Sequence, residues 1–464
     1  MNSANASLKL APMFSSHMVL QRGKPVRIWG MALPRANVEV SLAGRDKTAT
    51  ADRAGRWLLE FSALKSGGPF SISVSSEDVN IVLDDILIGD VWICSGQSNM
   101  EMMLKDSLNA QEEISSSEFP MIRHCRIPQD FSDEPQDGIA CQWRTCNTGS
   151  SGEFTAAGYF FARRIHKETG VPIGLLNTSW GGSEIEPWIP GNVFEKRQFR
   201  IYMDRQKNAL ASNSLKRHGL STHYNAMVHG LTRFPVKGFL WYQGESNACW
   251  AEAYSSLFPE LISAWRRAWR DRTLPFYFVQ LAGFGTAALV QENICWPELR
   301  EAQAMALRIR NTGMAVAIDV GEAENIHPRN KQEIGRRLAL LALSGTYRKK
   351  IQSRGPSYSR HRFAKSAAEI FFKDVEKGLC AGKNGNVRGF LVAGRDRKFV
   401  EASAEISGKR SVRVFSPLVS KPVAVRYAWT GFPVCNLSNS AGLPAVPFRT
   451  DRWPLATKGK MWPE

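Results

Sequence analysis

The chain has 464 residues, enough for two or three domains, and its 43% hydrophobic and 22% charged residues are typical of a folded globular protein. Its net charge of +17 suits an acidic partner such as an acidic glycan, but the basic residues are scattered and lack a binding motif, so we expect no nucleic-acid partner. No apolar stretch reaches the roughly 18–20 residues of a membrane span, and the eight cysteines show no zinc spacing, so we expect no metal site.

Residues 1–85 are predicted to form a β-sandwich-like N-terminal domain. Alternating apolar runs occur at 26–29, 38–42, 56–61, 70–74 and 79–83. Turns containing Gly or Pro separate these runs, and short strands at this spacing are typical of a small sandwich.

Residues 86–345 are predicted to form an α/β domain. Apolar strand candidates at 91–94, 173–177, 236–241, 276–281 and 314–319 alternate with amphipathic helix candidates at 154–169, 254–270, 296–309 and 331–344. This pattern favours an open parallel sheet with helices on both faces and a ligand crevice beyond the carboxyl ends of the strands. Residues 346–464 return to short strands, at 369–372, 389–393, 411–415 and 423–428, and are predicted to be a β-rich accessory region.

Ser98 follows the first of these strands, in a bend that leads into a helical pattern. A hydroxyl at this point lies beside backbone amides at the positive end of a helix dipole, where an oxyanion can be stabilised. Ser98 is therefore a candidate nucleophile for acyl transfer, with a simple N-cap as the alternative.

Three more polar segments follow strand ends. One carries Gly181 and Gly182, which could supply a backbone oxyanion donor or only a turn, and another carries Gln243 and Asn247, which could supply an amide donor or only stabilise a loop. The last carries His327. Because all these segments are predicted at one edge of one sheet, we interpret His327 as the general base.

Several motifs together carry a family resemblance. They are Gly-Gln-Ser-Asn-Met at 96–100, residues 177–182 with Glu-Pro-Trp at 186–188, residues 241–247, and Ile-His-Pro-Arg-Asn-Lys at 326–331, with flanking matches at 14–22, 423–429 and 447–451. This combination resembles the sialate O-acetylesterase family of SGNH-type hydrolases over nearly the whole chain.

The resemblance implies an SGNH-hydrolase-like three-layer αβα fold with a parallel sheet and flanking all-β regions. It implies a serine esterase without a cofactor that removes acetyl groups from sugar hydroxyls. By position, Ser98 is then the nucleophile and His327 the base. The oxyanion donors are the Ser98 amide, the Gly181–Gly182 segment, and Gln243 or Asn247. Nearby aromatic residues that could stack on a sugar, or simply belong to the core, are Trp180, Trp188 and Tyr242.

One position departs from the family pattern. Asn325 stands where bacterial relatives often carry Asp, and an amide cannot stabilise an imidazolium as a carboxylate does. We therefore expect Glu324 to be the third triad member, with Asp319 and Glu322 as alternatives. A Ser–His dyad steered by a backbone carbonyl is the remaining possibility.

Two other functions stay open: an acetylesterase acting on xylan or another polysaccharide, and a catalytically weak glycan-binding protein, which the Asn325 departure would favour. The family resemblance implies export to the periplasm or outside the cell, whereas residues 1–10 lack the apolar core of a signal peptide. Cys141 and Cys146 could pair with each other or with Cys125. The oligomeric state is not predicted.

Overall fold

The structure is a computed structural model that describes residues 8–211, 219–286, 295–382 and 385–461 of a mixed α/β protein. Residues 1–7, which belong to the segment considered for a signal peptide, lie outside the described residues. No helix in the described ranges is both long enough and apolar enough to span a bilayer.

The N-terminal part consists of short strands, as its alternating pattern predicts. They are Lys9–Leu10, Val19–Gln21, Val26–Met31, Asn37–Leu42, Arg45–Thr50, Arg56–Phe61 and Gly67–Ser76. In Asn37–Leu42 every second side chain is buried, which is the period of a half-buried strand. The polar strand Arg45–Thr50 was not predicted, because it has no buried residue and hence no apolar pattern.

Seven strands form the central part of the largest sheet, in the spatial order β3-β2-β4-β1-β5-β6-β7. All neighbours are parallel except the edge pair β3 and β2. The strands are β1 (Val79–Gly96), β2 (Phe119–Arg126), β3 (Trp143–Cys146), β4 (Ile173–Ser179), β5 (Gly238–Tyr242), β6 (Phe276–Val279) and β7 (Thr312–Ala315). Strands β2 and β3 were not predicted, because polar residues interrupt their apolar pattern.

The 18-residue strand β1 joins the N-terminal strands to the central sheet. Its first half pairs antiparallel with Gly67–Ser76, and its second half lies between β4 and β5. The boundary predicted between residues 85 and 86 falls inside this strand, where Asp85 has a φ of 57°.

Helices cover both faces of the central sheet. They are α1 (Ser98–Glu101), α2 (Ala110–Ser115), α3 (Ala156–Thr169), α4 (Arg200–Ala211), α5 (Ala251–Ala268), α6 (Cys295–Met305) and α7 (Lys331–Gly345). Trp92 and Cys94 of β1 share a core with α3 and α7, whereas Ile93 shares the other core with α5 and α6. Gly335 allows α3 and α7 to pack closely, because a Cβ there would lie 2.4 Å from Cβ of Phe160.

The C-terminal part forms two antiparallel sheets and a two-stranded pair. The strands are Ser357–Phe363, Ala367–Lys373, Leu379–Cys380, Asn386–Val387, Phe390–Ala393, Phe399–Glu401, Ser403–Gly408, Ser411–Phe415, Ala424–Tyr427, Ser438–Asn439 and Phe448–Arg449. Buried Arg300 of α6 donates hydrogen bonds of 2.7 Å to the carbonyls of Thr430 and Gly431. This part of the chain therefore packs directly against the helical layer.

One disulfide lies beside the edge of the sheet. It joins Cys125 of β2 to Cys141, which is one of the pairings that the sequence left open. Cys146 is a buried free thiol.

Candidate active site

Ser98 lies at the carboxyl end of the central strand, where three strands end together. Gly96 of β1 pairs with Ser179 of β4 on one side and with Tyr242 of β5 on the other. Gly96 has a φ of 132°, and a Cβ there would lie 2.1 Å from the Tyr242 carbonyl oxygen, so glycine is required for the chain to turn into α1. Ser98 is the first residue of α1, and its amide therefore has no acceptor within the helix.

The Gln97 side chain holds this turn against the segment after β5. Its Oε1 accepts hydrogen bonds from the amides of Gly244, at 3.1 Å, and Ser246, at 3.3 Å. Gln97 is buried, so these bonds are shielded from water. The position of the Ser98 turn is thus set by side-chain contacts as well as by the ends of the strands.

His327 meets Ser98 across this edge of the sheet. Nε2 of His327 and Oγ of Ser98 are 2.8 Å apart, and both side chains are half-buried. Burial lowers the pKa of His327, and the nearby Lys331 cation lowers it further. The imidazole is consequently neutral near neutral pH, which is the form that can take a proton from a serine hydroxyl.

The structure corrects the prediction that Glu324 completes a triad. Glu324 is exposed and makes no hydrogen bond or ion pair with His327. Asn325 contacts the main chain of His327 instead: its Oδ1 accepts from the His327 amide at 2.9 Å, and its Nδ2 donates to the His327 carbonyl at 3.0 Å. A carboxylate that faces water keeps its hydration, and here the loop directs Glu324 outward.

The two alternative carboxylates are also engaged elsewhere. Asp319 forms a two-point ion pair with Arg337, with both N–O distances at 2.6 Å. Glu322 accepts hydrogen bonds from the Arg329 amide, at 2.7 Å, and from Asn325 Nδ2, at 3.1 Å. Within the described residues the site is therefore a Ser–His pair without a carboxylate on the imidazole.

The two predicted glycines lie next to the nucleophile. A Cβ on Gly181 would lie 3.4 Å from Cβ of Ser98. The Gly181 amide donates to Oε2 of Glu101 at 2.7 Å, whereas the Gly182 amide donates to no described residue. Gly182 has a φ of 74°, a conformation that favours glycine. Among the described residues, neither the Ser98 amide nor the Gly182 amide has a hydrogen-bond acceptor.

Gln243 and Asn247 are not directed at this position, which corrects their predicted role as oxyanion donors. Both side chains are fully buried. Gln243 Nε2 donates to the Ser183 carbonyl at 3.2 Å and to Asn247 Oδ1 at 2.7 Å, and Asn247 Nδ2 donates to Glu186 at 3.0 Å. A buried amide must find partners within the protein. These two side chains instead join the segments that follow β4 and β5.

The predicted sugar-contacting aromatic residues belong to the core. Trp188 and Tyr242 are fully buried, so neither can stack on a substrate, and this expectation is corrected. Trp180 is 8% exposed and stacks on His223, with ring centroids 4.6 Å apart. Large aromatic residues after a buried strand more often fill the interior than a binding cleft, and the sequence alone does not separate these roles.

Several polar residues that were not predicted to belong to the site lie around the Ser–His pair. They are Gln97, Asn99, Glu101, Glu245 and Lys331, of which Gln97, Asn99 and Lys331 are buried and Glu101 and Glu245 are partly buried. The available signal was the position of each one inside a quoted motif or directly beside it. No cluster of His, Cys, Asp or Glu in the described ranges could hold a metal ion.

In this site a serine hydroxyl is hydrogen-bonded to a histidine, at the carboxyl edge of a parallel sheet and beside backbone amides. This arrangement is found in serine hydrolases. The comparison with known families is consistent with this class. Residues 88–344 match the family described as carbohydrate esterase, sialic acid-specific acetylesterase, and the chain belongs to this family. The protein is thus a carbohydrate O-acetylesterase.

Known proteins are similar to this chain over almost its full length. The chain is 29% identical to a sialate O-acetylesterase of Mus musculus, covering 96% of this chain and 95% of that protein. It is 30% identical to the corresponding protein of Pongo abelii, covering 96% and 93%. A solved carbohydrate acetylesterase structure from Xanthomonas citri is 37% identical with a TM-score of 0.88, covering 96% of this chain and all of that one.

Proposed function

We propose that this esterase is a sialate O-acetylesterase that works through a Ser98 acetyl-enzyme. The observation that carries the chemical part is the 2.8 Å contact between Ser98 Oγ and His327 Nε2. The sialic acid part rests on the family description and on the names of relatives that align over nearly the whole chain. The proposed partner is an acetylated sugar or glycan, without a nucleic-acid partner.

In the first half-reaction, His327 takes the proton of Ser98 while Oγ attacks the acetyl carbonyl carbon. The negative charge that develops on the carbonyl oxygen is stabilised by the amides of Ser98 and Gly182. The tetrahedral intermediate then collapses, and His327 returns the proton to the departing sugar hydroxyl. The product left on the protein is an acetyl ester of Ser98.

In the second half-reaction, His327 removes a proton from water, which attacks the acetyl-enzyme. Collapse of the second tetrahedral intermediate releases acetate, and the proton returns to Ser98. Both steps require one base and one oxyanion site, so a Ser98–His327 dyad is sufficient in this proposal. Glu324 has no assigned role in it.

For the architecture we propose an SGNH-hydrolase-like three-layer catalytic domain at residues 86–345. Support comes from a parallel sheet with helices α3 and α7 on one face and α5 and α6 on the other. The proposed flanking units are an all-β N-terminal domain at 1–85 and a β-rich accessory region at 346–464. The N-terminal unit shares strand β1 with the catalytic sheet and is therefore expected to fold together with it.

The test is acetate release by the wild type and Ser98→Ala on O-acetylated sialic acid, acetylated xylan and an aryl acetate. Release from sialic acid that is abolished in Ser98→Ala supports the proposal. Release mainly from xylan would keep the mechanism and overturn the substrate. Undiminished activity of Ser98→Ala would overturn the nucleophile. Ser420→Ala, which removes an exposed hydroxyl in the C-terminal region, is the matched control and should behave as wild type.

A further inference from the structure

The Asn99 side chain connects the nucleophile segment to the histidine segment. Asn99 follows Ser98 directly and is fully buried. Its Nδ2 donates to the Ile326 carbonyl at 3.0 Å and to Oε1 of Glu245 at 2.6 Å. Its Oδ1 accepts from Nζ of Lys331 at 2.7 Å. The Asn99 amide thus uses both of its donor hydrogens and one of its two acceptor positions in these contacts.

Lys331 makes the matching contact on the other side of the histidine. It is the first residue of α7 and is fully buried. Nζ donates to the Pro328 carbonyl at 2.6 Å and lies 5.4 Å from the ring centroid of Tyr242. The carbonyls of Ile326 and Pro328, which flank His327, therefore each accept a side-chain hydrogen bond, one from Asn99 and the other from Lys331.

We propose that Asn99, Lys331 and Glu245, here called the lysine network, position His327 against Ser98. In a Ser–His–Asp triad the carboxylate orients the imidazole, and no carboxylate among the described residues bonds to the imidazole of His327. The lysine network performs the orienting task through the main chain on each side of His327. These residues are positioning residues, and this inference rests on the proposed Ser98–His327 chemistry.

The strength of the hydrogen bonds made by Lys331 depends on their burial. In a low-dielectric interior each hydrogen bond is strong, and removing one partner leaves the others unsatisfied. Removing the Lys331 ammonium would leave Asn99 Oδ1 and the Pro328 carbonyl without this donor. The histidine loop, residues 326–328, would then no longer be held in one position. Misplacement of the His327 imidazole by about 1 Å can lower the rate about 100-fold.

The lysine network also acts on the charge of the base. The carboxylates that face Lys331 are Glu322 and Glu245, whose Oε2 has no hydrogen-bond partner in the described part of the chain. Burial outweighs their effect and lowers the pKa of Lys331 to about 7. Below that pH the ammonium is charged and opposes formation of the His327 imidazolium, which lowers the pKa of His327.

The experiment measures kcat, KM and the pH profile of Lys331→Met with an aryl acetate, beside the wild type. We expect kcat to fall about 10- to 100-fold with little change in KM. We also expect the acid limb of kcat/KM to move to higher pH, because the lost cation no longer opposes the imidazolium. Lys24→Met, which removes a partly exposed lysine paired with Asp271, is the matched control and should leave both unchanged.

An unchanged kcat and an unmoved acid limb in folded Lys331→Met would overturn the inference. If Lys331→Met does not fold, as judged by circular dichroism, Asn99→Ala decides. We expect that variant to lose at least about 10-fold in kcat at nearly constant KM, and wild-type kcat would overturn the inference. Absence of turnover of both the aryl acetate and O-acetylated sialic acid by the wild type would instead overturn the proposed function.

Discussion

Helix α1 holds two loops in very different surroundings. Asn99, whose side chain is fully buried, holds the loop that carries His327 by a hydrogen bond to the carbonyl of half-buried Ile326. Two residues further along the chain, Glu101 holds the loop that carries Gly181, with a side chain that is 23% exposed. Glu101 also pairs with the 38% exposed side chain of Arg126 at 2.8 Å.

The difference in burial separates two tasks: buried contacts hold the loop of the base, and partly exposed contacts hold the loop that carries Gly181. Water competes for the Glu101 contacts, and an exposed ion pair contributes only about 0–1 kcal/mol. The Asn99 side chain is fully buried, so water competes less for its contacts and each is harder to lose. We therefore expect the histidine loop to be sensitive to small changes, and the Gly181 loop to tolerate conservative ones.

The largest effect is expected when the histidine itself is removed. His327→Gln keeps a polar side chain but cannot act as a base near neutral pH, so kcat should fall at least about 1,000-fold. Steady-state hydrolysis of an aryl acetate is the measurement, with circular dichroism to establish that the variant is folded. Retention of more than a tenth of the wild-type kcat would mean that another group is the base.

A smaller effect is expected on the exposed side. Glu101→Ala removes the acceptor of the Gly181 amide, and we expect kcat to fall about 10-fold because this loop adjoins the oxyanion position. Glu101→Gln can still accept that hydrogen bond and should stay within about 3-fold, because it loses only an exposed ion pair. Aryl-acetate kinetics of both variants provide the test. A rise in kcat for Glu101→Ala would reverse the interpretation and identify Glu101 as an inhibitor of the oxyanion site.

The pH profile tests the electrostatic side of the comparison. Burial and the Lys331 cation both lower the pKa of His327, and the base must be neutral to act. As pH falls, activity should therefore persist below the ordinary histidine value of 6.5 before it is lost. The measurement is kcat/KM for an aryl acetate from acid to neutral pH. An acid limb with its midpoint above 6.5 would contradict the lowered pKa.

The smallest effect is expected at Glu324. Because this carboxylate is exposed and does not contact His327, Glu324→Gln should keep kcat within about 2-fold, the range of a surface substitution. Single-turnover and steady-state rates on the same ester would establish this. A loss of 10-fold or more would restore Glu324 as a triad member and weaken the role assigned to the lysine network.

Much of the central fold could be predicted because its signal is local. The segments at 173–177 and 276–281 are mostly apolar, and the corresponding strands are Ile173–Ser179 and Phe276–Val279. Likewise, the predicted helix at 331–344 is Lys331–Gly345. Strands β2 and Arg45–Thr50 could not be found in this way, because pairing with neighbours rather than their own pattern makes them strands.

The site was predictable in its outline but not in its contacts. Ser98, Gly182 and His327 each follow a strand end, so their convergence at one sheet edge could be inferred from the order of elements. The direction of the Glu324 and Gln243 side chains depends on loop conformation and on which partners are buried nearby. Neither property leaves a periodic trace in the sequence.

By itself the sequence determined the alternation of strands and helices, the strand-end positions of Ser98 and His327, and membership of an acetylesterase family. The elements could be predicted because apolar periodicity and turn residues act over a few neighbouring positions, and the family is carried by motifs that are themselves short segments of sequence. Only the tertiary structure decided that Asn99 and Lys331 lie beneath the histidine loop, that Glu324 faces water, and that Trp188 belongs to the core. Burial and hydrogen-bond partnership arise between segments more than a hundred residues apart, and they exist only once the chain is folded.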